Sequence, residues 1–424
     1  MIKGRNVKLW RVDKVAEWRL CMGCGACRWA CPNNAISLHD IIEKGIRPRI
    51  NEDECHQCGK CVDVCPGIRL ENSTHPIGEI KDLSEDWGPV LQIREGYAHD
   101  FNVRYKASSG GAATAIALWA LEQGDYCGVL HIKEDPEDPV RSIPVFSRKR
   151  DDLIAAQGSR YSPASPCSAF DFIRSAEGKC VFIGKPCDCA ALRKAGDLDS
   201  TLKEKAALII SIFCAGTPTT AGTLAILEEM GIQDKTRLRS FRYRGFGWPG
   251  SAMAIVRNND TIKNVDDNEL TFSMSYEQAW GKILTKYGQL RCRLCPDKTG
   301  EFADIAVGDP WYRERGNDVG RSLILIRSTT GLTCVQQTCE SGYMKTEKSM
   351  WQRLPESQKS IHTGRRSLYG RMMVFKMLGI PAPHYVGFFL NRSWRHVNLL
   401  NKVKTITGTF KRIITRNWFA KDKI

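Results

Sequence analysis

Cysteines in two closely spaced runs set the chemistry open to this chain. The first run is Cys21, Cys24, Cys27 and Cys31; the second is Cys55, Cys58, Cys61 and Cys65. Each reads C-x2-C-x2-C-x3-C, and each is closed by a proline, Pro32 or Pro66. Thiolates at that spacing hold a pair of 4Fe–4S clusters in a bacterial ferredoxin-type module, where the fourth cysteine of each run ligates the other cluster. Cys21, Cys24, Cys27 and Cys65 are therefore assigned to one cluster, and Cys55, Cys58, Cys61 and Cys31 to the other. The runs are offset by 34 positions, which makes the module an internal duplication. Zinc sites pair two C-x2-C knuckles across a spacer, and a triple knuckle before Cys-Pro departs from that pattern. Gly23, Gly25 and Gly59 let the chain wrap closely round sulfur with N–H groups pointing inward.

A second set of cysteines is scattered. Cys187 follows Gly184-Lys185-Pro186, Cys214 ends the apolar run at 209–213, and Cys292 and Cys295 form one knuckle before Pro296. From spacing alone three readings stay open: a third 4Fe–4S site, a zinc site, or ordinary buried thiols. Cys189 competes with Cys187 as a ligand. Cys127, Cys167, Cys180, Cys334 and Cys339 read as plain buried cysteines. Upstream, Lys106-Ala107-Ser108-Ser109-Gly110-Gly111 precedes an apolar run at 112–121. Ser and Gly ahead of a helix expose N–H groups that suit a phosphate. The plainer reading is a side-chain N-cap with glycines for close packing. The string at 245–250 formally matches G-x-G-x-x-G, but Pro249 interrupts it and a strand-like segment follows, so it reads as a turn carrying Trp248. Asp304 and Asp309 are either turn acids or cofactor-facing groups.

The elements that position these residues alternate. Strands are expected at 127–132, 180–184, 207–213, 241–244, 252–256 and 322–327, and helices at 112–121, 219–230 and 331–341. The fold class is thus a small two-cluster ferredoxin module, an α/β domain, and a basic helical tail: α+β with α/β. The divisions are 1–75 for the module, 76–95 for a linker, 96–350 for the α/β domain and 351–424 for the tail.

Composition narrows the classes. The chain has 424 residues, 42% hydrophobic and 26% charged, as in a globular protein of two or three domains. No apolar run reaches the roughly 18 residues of a spanning helix. Residues 1–20 lack the apolar core of a secretory leader. Eighteen cysteines at metal-ligand spacing without such a leader point to reduced thiolates in the cytoplasm. The net charge is +15, but residues 359–424 hold fourteen Lys and Arg against Asp422, which places +13 in the tail. The rest is near neutral and becomes acidic once clusters bring about −2 each. Nucleic-acid binding is not expected. In the tail, Trp394, Val397, Leu400, Val403, Ile406, Phe410, Ile413 and Phe419 recur at helical spacing among cations, with a soft break at Gly408 and an interfacial Trp418. That stripe fits either an amphipathic helix on an anionic membrane surface or a helix packed on the body.

Several ordered motifs together resemble the coenzyme F420 hydrogenase/dehydrogenase beta-subunit family over about residues 80–345. They are Ser108-Ser109-Gly110-Gly111, Gly-x-Pro-Cys at 184–187, Phe213-Cys214, Gly247-Trp248, Cys292-x2-Cys295, Ala303-Asp304-Ile305 and Gly308-Asp309. The resemblance implies an FAD-binding α/β domain with its own 4Fe–4S cluster on Cys187, Cys214, Cys292 and Cys295. It implies a flavin site at Ser108, Ser109, Gly110 and Gly111, with Lys106 or Lys185 near the phosphates and Trp248 close by. It leaves the catalytic residues and the use of coenzyme F420 itself open. One departure bears on the acceptor: many relatives carry a lysine before Gly-Trp where this chain has Arg242-Tyr243-Arg244. The family also reaches beyond F420 chemistry, to a similar plant 7-hydroxymethyl chlorophyll reductase. The expectation is an iron–sulfur flavoprotein that couples ferredoxin or another one-electron donor to a two-electron acceptor. The alternatives are a stand-alone reductase of a specialised metabolite or glycan precursor, an electron-transfer subunit docked to a larger catalytic subunit, and an adaptor that has lost its flavin.

Overall fold

The structure is a computed structural model that describes residues 11–72, 76–258, 269–314 and 318–424. Half of the segment expected to lack a leader, residues 1–10, lies outside the described residues. The cysteine module is built round an antiparallel hairpin, β1 (Ile36–Ile41) and β2 (Gly45–Ile50). A short strand, β3 (Arg69–Glu71), leaves the module and pairs with β15 (His384–Val386) near the other end of the chain.

An eight-stranded sheet forms the body. Its strands are β4 (Gln92–Ala98), β5 (Tyr126–Glu134), β6 (Ser142–Ser147), β7 (Lys179–Gly184), β8 (Leu208–Ile212), β12 (Ile305–Gly308), β13 (Ser322–Ile326) and β14 (Met344–Lys348), in the order β14-β4-β13-β12-β8-β7-β5-β6. The central strands β5, β7, β8 and β12 run parallel, and the flanking ones are antiparallel. Val181, Leu208, Ile210 and Ile305 are buried, so these central strands read as apolar runs. The helix Ala112–Gln123 covers one face through Ile116, Leu118 and Trp119. A separate three-stranded sheet, β9 (Leu238–Arg242), β10 (Ser251–Arg257) and β11 (Glu269–Ser275), rests on Phe241, Tyr243 and Met274.

The expected strands and helices recur with ends moved by a few residues, and four strands of the large sheet are additional: β4, β6, β12 and β14. β4 begins at Gln92, inside the stretch that reads as a linker, and it pairs with both β13 and β14. The rest of that stretch wraps the sheet, burying Leu83, Trp87 and Val90 against Leu323 and Leu354.

The tail helix runs unbroken from Leu399 to Thr415, so Gly408 does not interrupt it. A glycine costs only about 1 kcal/mol in a helix, and packing offsets that. Ile406, Phe410 and Ile413 pack on the helix Leu368–Met377 and on Val15, Leu20 and Leu290. Trp418 is 7% exposed and joins that core, so it is not an interfacial residue. Asp422 reaches Lys44 at 2.9 Å, tying the chain end to the cysteine module. No helix among the described residues is long and apolar enough to cross a membrane.

Candidate functional site

The twelve cysteines fall into three groups. Cys31, Cys55, Cys58 and Cys61 line one small cavity, so the fourth cysteine of the first run does cross to the second. Cys21, Cys24, Cys27 and Cys65 gather on the side facing the body. Burial pushes the Cys65 thiol up to about 12 and raises Cys27 well above its usual range, with Cys21 and Cys24 adding to both. Cys24 is the exception: a hydrogen bond from Cys167 lowers it. Cys167, which by sequence reads as a plain buried cysteine, touches this group. Its backbone N–H also donates to the Cys24 carbonyl at 3.0 Å.

Cys187, Cys214, Cys292 and Cys295, the third group, line a second small cavity, with Met22 and Arg291. Secondary structure explains the convergence. Pro186 opens the helix Pro186–Leu198 and places Cys187 in its first turn. Cys214 follows the end of β8, and Cys292 sits on the short helix Leu290–Arg293. Thr217 N–H points at the Cys292 sulfur at 3.4 Å. Cys189 turns the other way, towards the carbonyls of Gly184 and Ile210 in the sheet. Burial raises Cys214 to about 12 and Cys187 well above its usual range. Thiols that resist ionisation when buried alone fit sites whose iron, once bound, holds them as thiolates. Among the described residues, no three His, Cys, Asp or Glu side chains close up as for a single ion.

Beside this third group, at the carboxyl ends of β7, β8 and β12, lie two adjoining cavities. The inner one, about 210 Å³, is lined by Ser108, Ser109, Gly111, Gln157, Lys185 and Arg244. Ser108 and Ser109 do not cap the following helix. The Ser108 hydroxyl accepts from Ser159 N–H at 2.9 Å, and Ser109 meets Ser322 at 3.0 Å. The N-cap is Gly111 at φ 76°, a left-handed conformation that favours glycine, and no side chain caps the first turn. Ala112, Ala113 and Thr114 of that turn line the cavity, and Gln157 Oε1 is buried there without a partner. An uncapped helix start and an orphaned amide oxygen fit an anionic, hydrogen-bonding cofactor.

Not every expected residue reaches that cavity. Lys106 is exposed and does not line it. Gly110 lies beneath, its N–H donating to Ser322 Oγ at 3.0 Å. Trp248 is buried one layer out, donating Nε1–H to Asp309 at 2.7 Å. Lys185 lines both cavities but pairs with Asp188 at 2.7 Å. The two acids separate. Asp304 is a structural acid that accepts from Ile209 N–H and Ser328, whereas Asp309 lines both cavities. The outer cavity, about 450 Å³, was not legible beforehand: Tyr161, Tyr276, Trp280 and Trp311 line it, with Arg160 and Lys359. Trp311 follows Asp309-Pro310 directly, and that adjacency is the one local signal for it.

Comparison with known proteins matches this architecture. Residues 93–170 match the family described as "Coenzyme F420 hydrogenase/dehydrogenase, beta subunit N-term", and residues 178–350 match the companion description for the C terminus of the same beta subunit. Residues 20–67 match a 4Fe-4S dicluster domain. The chain belongs to the coenzyme F420 hydrogenase/dehydrogenase beta-subunit family. Its broad class is therefore that of an iron–sulfur oxidoreductase. An uncharacterized protein of Methanocaldococcus jannaschii is 23% identical, over 80% of this chain and 92% of its own length. A coenzyme F420-dependent sulfite reductase of the same organism is 24% identical over 76% of this chain, which spans only 46% of that relative. The fold is shared with a chain of the F420-reducing [NiFe] hydrogenase complex from Methanosarcina barkeri, with a TM-score of 0.53 and 20% identity, covering 74% of this chain and 98% of that one.

Proposed function

We propose that the chain is an iron–sulfur flavoprotein that passes electrons between a ferredoxin-type donor and a two-electron acceptor. Three 4Fe–4S clusters would be held by the three cysteine groups, and FAD by the cavity at Ser108, Ser109 and Gly111. When bound, the flavin would exchange one or two electrons and so join single-electron clusters to hydride-type chemistry. The observation that carries this reading is a chain of shared lining residues. Met22, from the inner loop of the cysteine module, lines the Cys187 cavity, and Cys214 lines both that cavity and the aromatic one.

The chain's own residues supply binding and positioning. The uncapped start of the helix Ala112–Gln123 would face phosphate. Arg244, held by Asp309 through contacts of 3.0 and 2.7 Å, presents a fixed cation to the inner cavity and lies 4.7 Å from the centre of the Tyr276 ring of the outer one. The rings of Tyr161, Tyr276, Trp280 and Trp311 would stack against a planar acceptor and exclude water. Coenzyme F420 is the acceptor that the relatives' names favour. A stand-alone reductase of another planar metabolite uses the same cavity equally well. A larger catalytic partner is supported by the hydrogenase complex that holds the chain of like fold. The setting is cytoplasmic, where thiolates stay reduced, and a contact of the tail with an anionic surface is supported by Leu399, Leu400 and Val403, which lie exposed beside Lys402 and Lys404.

Anaerobic purification with iron, sulfide and flavin quantitation tests the reading. About 12 iron and one FAD per chain are expected from three clusters of this type and one flavin. About 8 iron would remove the third cluster, and a colourless flavin extract would remove the FAD.

A further inference from the structure

Two cysteine groups that belong to different parts of the chain meet across one buried guanidinium. Arg291 is 1% exposed and sits between Leu290 and Cys292, on the short helix that carries the knuckle. On one side it lines the cavity of Cys187, Cys214, Cys292 and Cys295. On the other, its Nη2 donates to the carbonyl of Pro66, the residue that follows Cys65, at 3.0 Å. Its charge lies within electrostatic reach of Cys65 and of Cys187, Cys292 and Cys295. The centre of the Tyr385 ring lies 5.7 Å from the guanidinium carbon.

The remaining donors are unexplained by the protein. Nε and Nη1 of Arg291 are buried with no hydrogen-bond partner. Buried donors without partners cost about 1–3 kcal/mol each, more on a charged group, and an unpaired buried cation is costlier still. An anionic sulfur cage beside them relieves both costs. Arg47, another buried arginine nearby, differs: its Nη1 and Nη2 are held by Ile46 O at 2.8 Å and Gln289 at 3.0 Å, and its charge reaches Cys21 of the inner group.

We propose that Arg291 is a shared positioning cation, donating N–H groups to the sulfurs of the Cys187/Cys214/Cys292/Cys295 cluster while its charge also acts on the neighbouring Cys21/Cys24/Cys27/Cys65 cluster. This rests on the cluster assignments of the proposed function. Reduction adds negative charge to each cluster, so a fixed cation between them favours reduction of both. It also weakens the repulsion between two reduced neighbours, in a medium where charges are poorly screened. Arg291 does not line the cavity of Cys31, Cys55, Cys58 and Cys61, and that outer cluster serves as an internal control.

The test is an EPR-monitored redox titration of the full chain carrying its clusters, in wild type, Arg291→Gln and Arg291→Lys, each with an iron count. In Arg291→Gln the two inner signals should move to lower potential, by about 59 mV for each tenfold shift in a one-electron equilibrium. The outer signal should stay in place. Arg291→Lys keeps the charge and should recover most of that shift. Pulsed EPR on wild type grown with 15N-arginine needs no variant to fold. A nitrogen coupling to the reduced third cluster is expected, and it should be lost in Arg291→Lys. A full iron count with unmoved inner signals, or wild type with no such coupling, would overturn the inference and leave the cluster assignment standing. A wild-type count short by one cluster would overturn both.

Discussion

Arg244 and Asp309 form a pair whose removal should be felt first at the level of single residues. Arg244 is 2% exposed, and burial opposes its charge while Asp309 more than restores it. Asp309→Ala leaves that cation buried and unpaired and is expected to cost about 3–5 kcal/mol, measured by denaturant unfolding. It should also free Trp248, whose indole N–H ends on the same carboxylate. His131 gives a pH signature. Burial lowers its pKa to about 4, its Nε2 lies 2.7 Å from Ser147 Oγ, and it lines the inner cavity. The folded chain holds it neutral, while an unfolded histidine titrates near 6.5. The fold therefore keeps its full stability above about pH 6.5. As pH falls from about 6.5 to 4 it should lose about 3 kcal/mol at this residue. His131→Gln should flatten that part of the stability–pH profile by about one proton, and an unchanged profile would refute the assignment.

At the scale of elements, the tail helix presents two faces with different expected roles. Its inner face packs Ile413, 1% exposed, among Val15, Leu290 and Phe375. Ile413→Ala should lower stability by about 2–5 kcal/mol, the range for truncating a buried aliphatic side chain. Its outer face carries Leu400 and Val403, which are 64% and 50% exposed. Replacing both with Asp should change stability by less than about 0.5 kcal/mol, as for most surface positions. The same change should abolish co-sedimentation with anionic vesicles; sedimentation equal to that of wild type would rule out a lipid contact through this face. The amphipathic stripe was legible in the sequence. Which of its residues faced inward was not, because that depends on where the helix Leu368–Met377 offers a complementary surface.

At the scale of the molecule, the cysteine module is docked rather than tethered. Cys167 N–H bonds the Cys24 carbonyl, Ser165 Oγ donates to Gly23 O at 2.7 Å, and Trp29 Nε1–H reaches Asp171 at 3.1 Å. A Cβ added at Gly25 would stand 2.9 Å from Ser168 Cβ, at a φ of +88° that disfavours any side chain. Gly25→Ala should therefore loosen this junction, and reduction of the body by an external donor should slow while the outer cluster still reduces. The module by itself has a small apolar core, so its fold depends on what its thiolates bind. Iron removal by a chelator under reducing conditions should expose residues 11–72 to protease while the eight-stranded sheet stays resistant. Equal digestion of both regions would contradict a module that depends on its metal for folding beside a sheet whose apolar core holds without it.

The sequence by itself determined the two cysteine runs, their crossed pairing and the parallel core of the body, because each is written in local spacing or in an unbroken apolar run. Local spacing also marked Ser108 to Gly111 as a special helix start. It could not separate Cys187 from Cys189, or Asp304 from Asp309, since neighbours in sequence leave a strand or helix in opposite directions. Strands β4, β6 and β14 escape a local reading because antiparallel strands at the flanks of the sheet draw their stability from partners remote in the chain; the parallel strand β12 escapes it because four residues, Ile305–Gly308, are too short to show a pattern. The aromatic cavity and the place of Arg291 between two cysteine groups were decided only by the tertiary structure. Both arise where segments far apart in the chain converge, and no local pattern encodes that meeting.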